Sequence, residues 1–119
     1  VMRKFAAVEI ELRALEVTEL RTLAAVACGK APGPESSILK FVGTEMQQAI
    51  DELYVEAAGY YALPYVPEQY APEFPVGDRV GEGNETWSSL RYFNFRKASI
   101  YGGSNEIQKN IVAKHVLGL

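Results

Sequence analysis

The chain has 119 residues, of which 48% are apolar, and a formal net charge of −3, which fits one domain with a core of its own. The negative net charge disfavours nucleic acid as a partner, because nucleic-acid-binding proteins usually carry a basic surface. No apolar run approaches the roughly 18 to 20 residues that span a bilayer. No signal-peptide pattern follows Val1, and the single cysteine, Cys28, excludes an internal disulfide, so we expect a cytoplasmic protein.

The first predicted element is a long helix over residues 2–28, which contain no Gly or Pro. Glu9 and Arg13 are spaced to pair on its surface. Two apolar stripes indicate contacts on two sides, as in a bundle. The stripes comprise Phe5, Val8, Leu12 and Leu15, and Ile10, Val17, Leu20 and Ala24. Because the chain begins inside this helix, we expect it to be a fragment of a longer protein.

A connector with two prolines leads to a second predicted helix over residues 36–58. Ser36 or Ser37 is placed to act as its N-cap. Gly43 interrupts the apolar pattern of this helix and indicates a close helix crossing.

Residues 59–83 form the least regular segment, an aromatic and proline-rich loop. A solvated linker would not carry that many aromatic side chains, so we expect the loop to pack on a surface. That surface is either the loop's own bundle or a partner.

Two helices are predicted at the C-terminal end, over residues 84–101 and 104–117, with Asn84 and Ser104 at their starts. The break between them, Gly102-Gly103, places bare backbone beside a helix N-terminus, which suits close approach of an anionic or flat ligand.

These elements predict one all-α, bundle-like domain over residues 1–119, since no segment has a strand pattern. Cys28 and His115 have no second ligand type at metal spacing. We therefore expect a semi-buried thiol, a histidine on the surface or at an interface, and no metal site.

The most specific pattern is the sequence motif around the glycine break, which reads Ser99-Ile-Tyr-Gly-Gly-Ser-Asn-Glu-Ile-Gln-Lys-Asn-Ile-Val-Ala-Lys. It resembles the C-terminal signature of the acyl-CoA dehydrogenase family, and a looser resemblance extends back to about Phe5. The resemblance implies the family's C-terminal helical bundle without its first helix. For the full-length protein it implies FAD, α,β-desaturation of an acyl-CoA thioester, electron transfer to an electron-transfer flavoprotein, and a homo- or hetero-oligomer.

The signature departs from the family at the position of the catalytic base. Many members read Tyr-Glu-Gly-Thr there, and that Glu removes the α-proton of the thioester. The matching residue here is Gly102, which cannot accept a proton, so no residue of this chain fills the catalytic role. The resemblance also implies an N-terminal helical domain and a middle β-domain that hold much of the flavin and the thioester, so we expect this fragment to be inactive alone. The resemblance leaves two alternatives: a Glu on an upstream helix, or a base-less interaction subunit within a heteromeric complex.

The resemblance also assigns candidate cofactor-binding residues. Gly103 would allow close backbone approach, and the positions matching Ser104 and Glu106 contact the flavin near its adenosine half. As an acidic residue in the first turn of a helix, Glu106 is also explained by the helix dipole alone. The family's Gln-x-x-Gly-Gly motif contacts the pyrophosphate across the dimer, and here only Ala58 and Gly59 stand at its end.

Overall fold

The computed structural model describes residues 1–81 and 85–119, and every regular element in these ranges is helical. The four α-helices are α1 (Met2–Ala27), α2 (Ser36–Ala58), α3 (Glu85–Phe95) and α4 (Asn105–Val112). Short 3₁₀ helices cover Gly59–Ala62, Pro67–Tyr70, Val76–Asp78 and Arg96–Ser99, and a π turn, Ala113–Leu117, continues α4. The prediction of an all-α fold is confirmed.

Helix α2 lies at the centre of the arrangement, because α1, α3 and α4 all pack against it. The molecule is elongated, measuring 57 × 28 × 27 Å, with a radius of gyration of 18.6 Å. A compact domain of this length would have a radius of gyration of about 13.5 Å. Among the described residues, the apolar side chains that are fully buried are Met46, Ala62 and Ala98. The described helices therefore leave much of their apolar surface uncovered.

The α1–α2 hairpin follows the sequence prediction at its turn and at its crossing. Gly29 ends α1 with a φ of 82°, which a Cβ would disfavour. At the crossing, a Cβ added to Gly43 would lie 3.8 Å from Leu15 Cδ2, so α1 does approach α2 closely there. The predicted N-cap of α2 is wrong: Glu35 occupies that position, and Ser36 Oγ instead donates a hydrogen bond to Gly33 O.

Two further side-chain expectations for α1 are also corrected. Arg13 pairs with Glu16, 3.0 Å away, rather than with Glu9. Cys28 is exposed rather than semi-buried, because it follows the last turn of α1 in the connection that leads to α2.

One face of the α1–α2 hairpin forms an open apolar groove of about 770 Å³. Phe5 and Leu12 of α1 line it together with Ile50 and Tyr54 of α2. Phe5 is 54% exposed and Tyr54 is 58% exposed, so this face is not covered by any described part of the chain.

Only part of the aromatic loop, residues 59–81 of the described chain, packs against the helices. Gln69 is buried and donates a hydrogen bond to Thr86 of α3, and the Tyr70 hydroxyl hydrogen-bonds the same threonine. By contrast, Tyr60 is 88% exposed and Tyr65 is 77% exposed. The middle of the loop is thus anchored to the bundle, whereas its first aromatic residues face outward.

Helix α3 ends earlier than the predicted residue 101. After Phe95 the backbone tightens into a 3₁₀ turn, because Arg96 exchanges hydrogen bonds with α2: Gln48 Nε2 donates to Arg96 O, and Arg96 Nη2 donates to Gln48 O. The predicted N-cap, Asn84, lies outside the described residues.

A buried ion pair joins α2 to α3. The Asp51 side chain is fully buried, and its Oδ1 accepts hydrogen bonds from Arg91 Nε at 2.6 Å and Gln47 Nε2 at 3.1 Å. Arg91 is one-third exposed, and its guanidinium lies 4.7 Å from the centroid of the Phe95 ring. Asp51 Oδ2 is buried without a hydrogen-bond partner in the described part of the chain.

Candidate functional site

The glycine break lies between the 3₁₀ end of α3 and the start of α4. Gly102 has a φ of 67° and Gly103 a φ of 83°, so both take the left-handed conformation that L side chains rarely adopt. Ser104 then caps α4 as predicted, since its Oγ accepts a hydrogen bond from Ile107 N at 3.4 Å. The two glycines are therefore required by backbone geometry.

The two glycines differ in their surroundings. A Cβ at Gly102 would meet nothing within 4 Å, so the backbone there is open. A Cβ at Gly103 would lie 2.6 Å from Gln108 Nε2. The same amide group donates a hydrogen bond to Gly102 O at 3.3 Å and so holds the first glycine against α4. The result is an exposed patch of bare backbone next to a helix N-terminus.

Glu106 adds a carboxylate to this patch. A hydrogen bond from its own backbone N–H and a second from the Ser104 hydroxyl lower the pKa of Glu106 from its ordinary value. The side chain is therefore an anion at neutral pH and a poor proton acceptor. An exposed carboxylate beside the break can accept hydrogen bonds from ligand hydroxyls, whereas it would repel a phosphate placed directly on it.

A buried polar cluster beneath the break was not predicted from the sequence. Asn105 is 4% exposed, and its Oδ1 accepts a hydrogen bond from Lys40 Nζ at 2.9 Å. Thr44 Oγ1 lies 3.0 Å from the same oxygen, and Lys40 Nζ also donates to Ala98 O at 3.3 Å. A lysine and a threonine one turn apart on an amphipathic helix gave no sequence signal, because their shared partner is more than 60 positions away.

Gly59 is not brought to the break within one chain. It ends α2 with a φ of 57°, and a Cβ there would meet nothing within 4 Å. Thr44, which contacts the start of α4, lies about 22 Å from Gly59 along α2 at the helical rise of 1.5 Å per residue. Gly103, Ser104 and Glu106 form one local site, and Gly59 belongs to a different surface.

Metal-binding clusters and membrane-spanning helices are absent from the described part of the chain. Within residues 1–81 and 85–119, no group of three His, Cys, Asp or Glu side chains is arranged to hold a metal ion. None of the helices in these ranges has both the length and the apolar character to cross a membrane. His115 is exposed on the turn that follows α4.

In residues 1–81 and 85–119 every regular element is helical, and a left-handed glycine pair precedes the last helix. Residues 1–117 match the family described as "Acyl-CoA dehydrogenase, C-terminal domain". The chain therefore belongs to the acyl-CoA dehydrogenase family and corresponds to its C-terminal domain.

Two curated relatives carry the same name. Acyl-CoA dehydrogenase IpdE1 of Mycobacterium tuberculosis is 34% identical over 108 residues, which cover 86% of this chain and 24% of that protein. Acyl-CoA dehydrogenase IpdE1 of Mycolicibacterium smegmatis is 59% identical over 39 residues, which cover 33% of this chain and 9% of that protein. The chain thus spans about a quarter of the length of the first relative. No solved structure matches it significantly.

Proposed function

We propose that this chain is the C-terminal helical part of an FAD-dependent acyl-CoA dehydrogenase that desaturates an acyl-CoA thioester between its α- and β-carbons. The observation that carries the proposal is the family match over residues 1–117 together with the left-handed glycine break at the family's signature. The proposed partners of the full-length protein are an acyl-CoA substrate, an electron-transfer flavoprotein and further copies or homologous subunits. The proposed location is the cytoplasm.

The residues at the break fit one end of an FAD molecule. Gly102 and Gly103 expose backbone that side chains would cover, and Ser104 offers a hydroxyl. The Glu106 carboxylate can accept hydrogen bonds from ribose hydroxyls but disfavours a phosphate, so the adenosine half fits better than the pyrophosphate. FAD, when bound, would supply the hydride acceptor for the β-carbon. Gly59 would contact a cofactor only from a second subunit, since it lies far from the break of its own chain.

No residue of the break can serve as the α-proton base. Gly102 has no side chain, and the lowered pKa of Glu106 makes it a poor base. We therefore propose that this chain is inactive on its own and that the base comes from elsewhere in the full-length protein. The second candidate, a base-less subunit of a heteromeric acyl-CoA dehydrogenase, is favoured by Gly102 itself, which leaves the family's base position without a carboxylate.

The experiment places a carboxylate at Gly102 in the full-length protein. If the protein has no base, Gly102→Glu should raise the rate of acyl-CoA-dependent flavin reduction by part of the about 10²- to 10⁴-fold that general base catalysis contributes. If an upstream Glu is the base, the same substitution should instead restore activity to a variant from which that Glu has been removed. A strain of about 1 kcal/mol or more is expected, because φ at Gly102 is positive.

The matched control is Gly102→Gln, which introduces the same strain and nearly the same volume without a basic group. A gain with Glu and none with Gln supports the assignment of Gly102 to the base position. FAD-loaded Gly102→Glu protein that gains nothing in either background would refute it. Failure of the unsubstituted full-length protein to bind FAD would refute the proposed function itself.

A further inference from the structure

We propose that Lys40 is a positioning residue that fixes the shape of the glycine break from beneath. Its ammonium group donates hydrogen bonds to Ala98 O and to Asn105 Oδ1, at 3.3 and 2.9 Å. These two acceptors lie on opposite sides of the break. One ammonium group on α2 therefore sets the distance between the end of the 3₁₀ turn and the first residue of α4.

The segment between the two anchors needs such a restraint. Residues 99–104 include two adjacent glycines, which lose more conformational freedom on ordering than any other residue type. Ile100 is 70% exposed and Tyr101 is 53% exposed, so packing contributes little to holding this segment. Its first residues are held by backbone hydrogen bonds from Ile100 N and Tyr101 N to Lys97 O, at 2.9 and 3.2 Å. The conformation of the two glycines then depends on the ends of the segment, together with the hydrogen bond that Gln108 donates to Gly102 O.

The burial of Asn105 makes the restraint strong. Its side chain is 4% exposed, so the loss of Lys40 would leave a buried carbonyl oxygen with only Thr44 as a partner. A hydrogen bond from a charged donor to such a group is worth enough to change a local opening equilibrium by about ten- to a hundredfold. The consequence for the cofactor rests on the proposed function: a mobile break would present Gly103 and Ser104 poorly to FAD.

The test is Lys40→Met in the full-length protein, with two readouts. The first is hydrogen–deuterium exchange of the flavin-free protein, followed for peptides that cover residues 99–106. The second is the dissociation constant for FAD. We expect exchange in this segment to accelerate about ten- to a hundredfold, while exchange in α1 stays unchanged, and FAD affinity to fall by about tenfold or more.

The matched control is Lys109→Met. Like Lys40→Met, it removes one lysine charge that links α2 to α4. Lys109 Nζ lies 2.8 Å from Glu45 Oε1, and both side chains are half exposed, so the pair ties α4 to α2 outside residues 99–104. Because Lys109 also interacts electrostatically with Glu106, this control applies to the exchange readout and not to FAD affinity. We expect a change of about twofold or less in the exchange of residues 99–106. Lys40→Arg keeps the charge and the donors and should recover most of the FAD affinity, which a purely steric role for Lys40 would not explain.

Unchanged exchange in residues 99–106, or acceleration spread evenly over all helices, overturns the proposal. If Lys40→Met does not fold, Lys40→Gln replaces it, because it keeps a polar side chain while removing the ammonium group that joins Ala98 O to Asn105 Oδ1. Wild-type exchange in that variant then also counts against the proposal. Local acceleration in a protein that binds no FAD upholds the positioning role and refutes the proposed function, so the two failures are distinguishable.

Discussion

The buried ion pair between α2 and α3 gives the sharpest stability prediction. Arg91→Met would remove the cation that faces Asp51 and leave a fully buried carboxylate with Gln47 as its remaining hydrogen-bond partner. Breaking a buried pair in this way costs about 3 to 5 kcal/mol. Arg91 is 34% exposed, so water already screens part of the interaction, and we expect the lower end, about 3 kcal/mol.

The assay is urea unfolding followed by far-ultraviolet circular dichroism at a fixed protein concentration. With a denaturant dependence of about 1 to 3 kcal/mol per molar urea, a loss of about 3 kcal/mol lowers the midpoint by about 1 to 3 M. The double variant Asp51→Leu/Arg91→Met should be more stable than Arg91→Met, because it leaves no buried charge behind.

The control for this prediction is Arg13→Met, which breaks the exposed pair with Glu16. We expect a change of about 0.5 kcal/mol or less, because both of its partners are solvated. If Arg91→Met costs no more than this control, or if the double variant is the less stable one, the ion pair does not hold α3 to α2 as described.

Further predictions concern the start of α4 and the outer face of α1. Ser104→Ala should lower the stability by about 0.5 to 1 kcal/mol in thermal unfolding, because Ile107 N loses its capping acceptor; Ser104→Thr, which keeps both the acceptor and the hydroxyl donor, should not. An NMR titration should place the pKa of Glu106 below its ordinary value, and Ser104→Ala should raise it. Since the folded-state pKa is depressed, Glu106 stabilises the fold above its unfolded-state pKa, and this contribution should disappear as the pH falls through the folded-state pKa. Ile10 and Leu20 are 71% and 59% exposed, so the chain should self-associate at tens of micromolar in sedimentation experiments and do so less after Leu20→Asp; a monomer would contradict this.

The sequence predicted those parts of the fold that are set by local signals. Helices α1 and α2 end where Gly29 and Gly59 take positive φ values, and Ser104 caps α4. Glycine and a capping hydroxyl were therefore sufficient to predict these helix boundaries. The predicted end of α3 was wrong, because the tightening after Phe95 depends on hydrogen bonds exchanged with a residue on α2 that lies 48 positions earlier.

The polar contacts between helices could not be predicted for the same reason. Asp51 and Lys40 each stand on an amphipathic helix where a charged residue usually marks the solvated face. Only the packing of α3 and α4 against α2 buries Asp51 and directs Lys40 to Asn105. The glycine break itself could be predicted from the sequence, whereas the hydrogen bonds from Lys40 on α2 to the two sides of the break could not.

The most direct test of the central claim is the flavin spectrum of the full-length protein, with and without its natural partner subunits, during anaerobic addition of a panel of acyl-CoA thioesters. An acyl-CoA dehydrogenase should contain FAD, and its visible flavin absorbance should bleach with at least one thioester as the corresponding 2,3-enoyl-CoA forms. A preparation that contains no flavin, or whose bound flavin stays oxidised with every thioester and every partner subunit, would contradict the account.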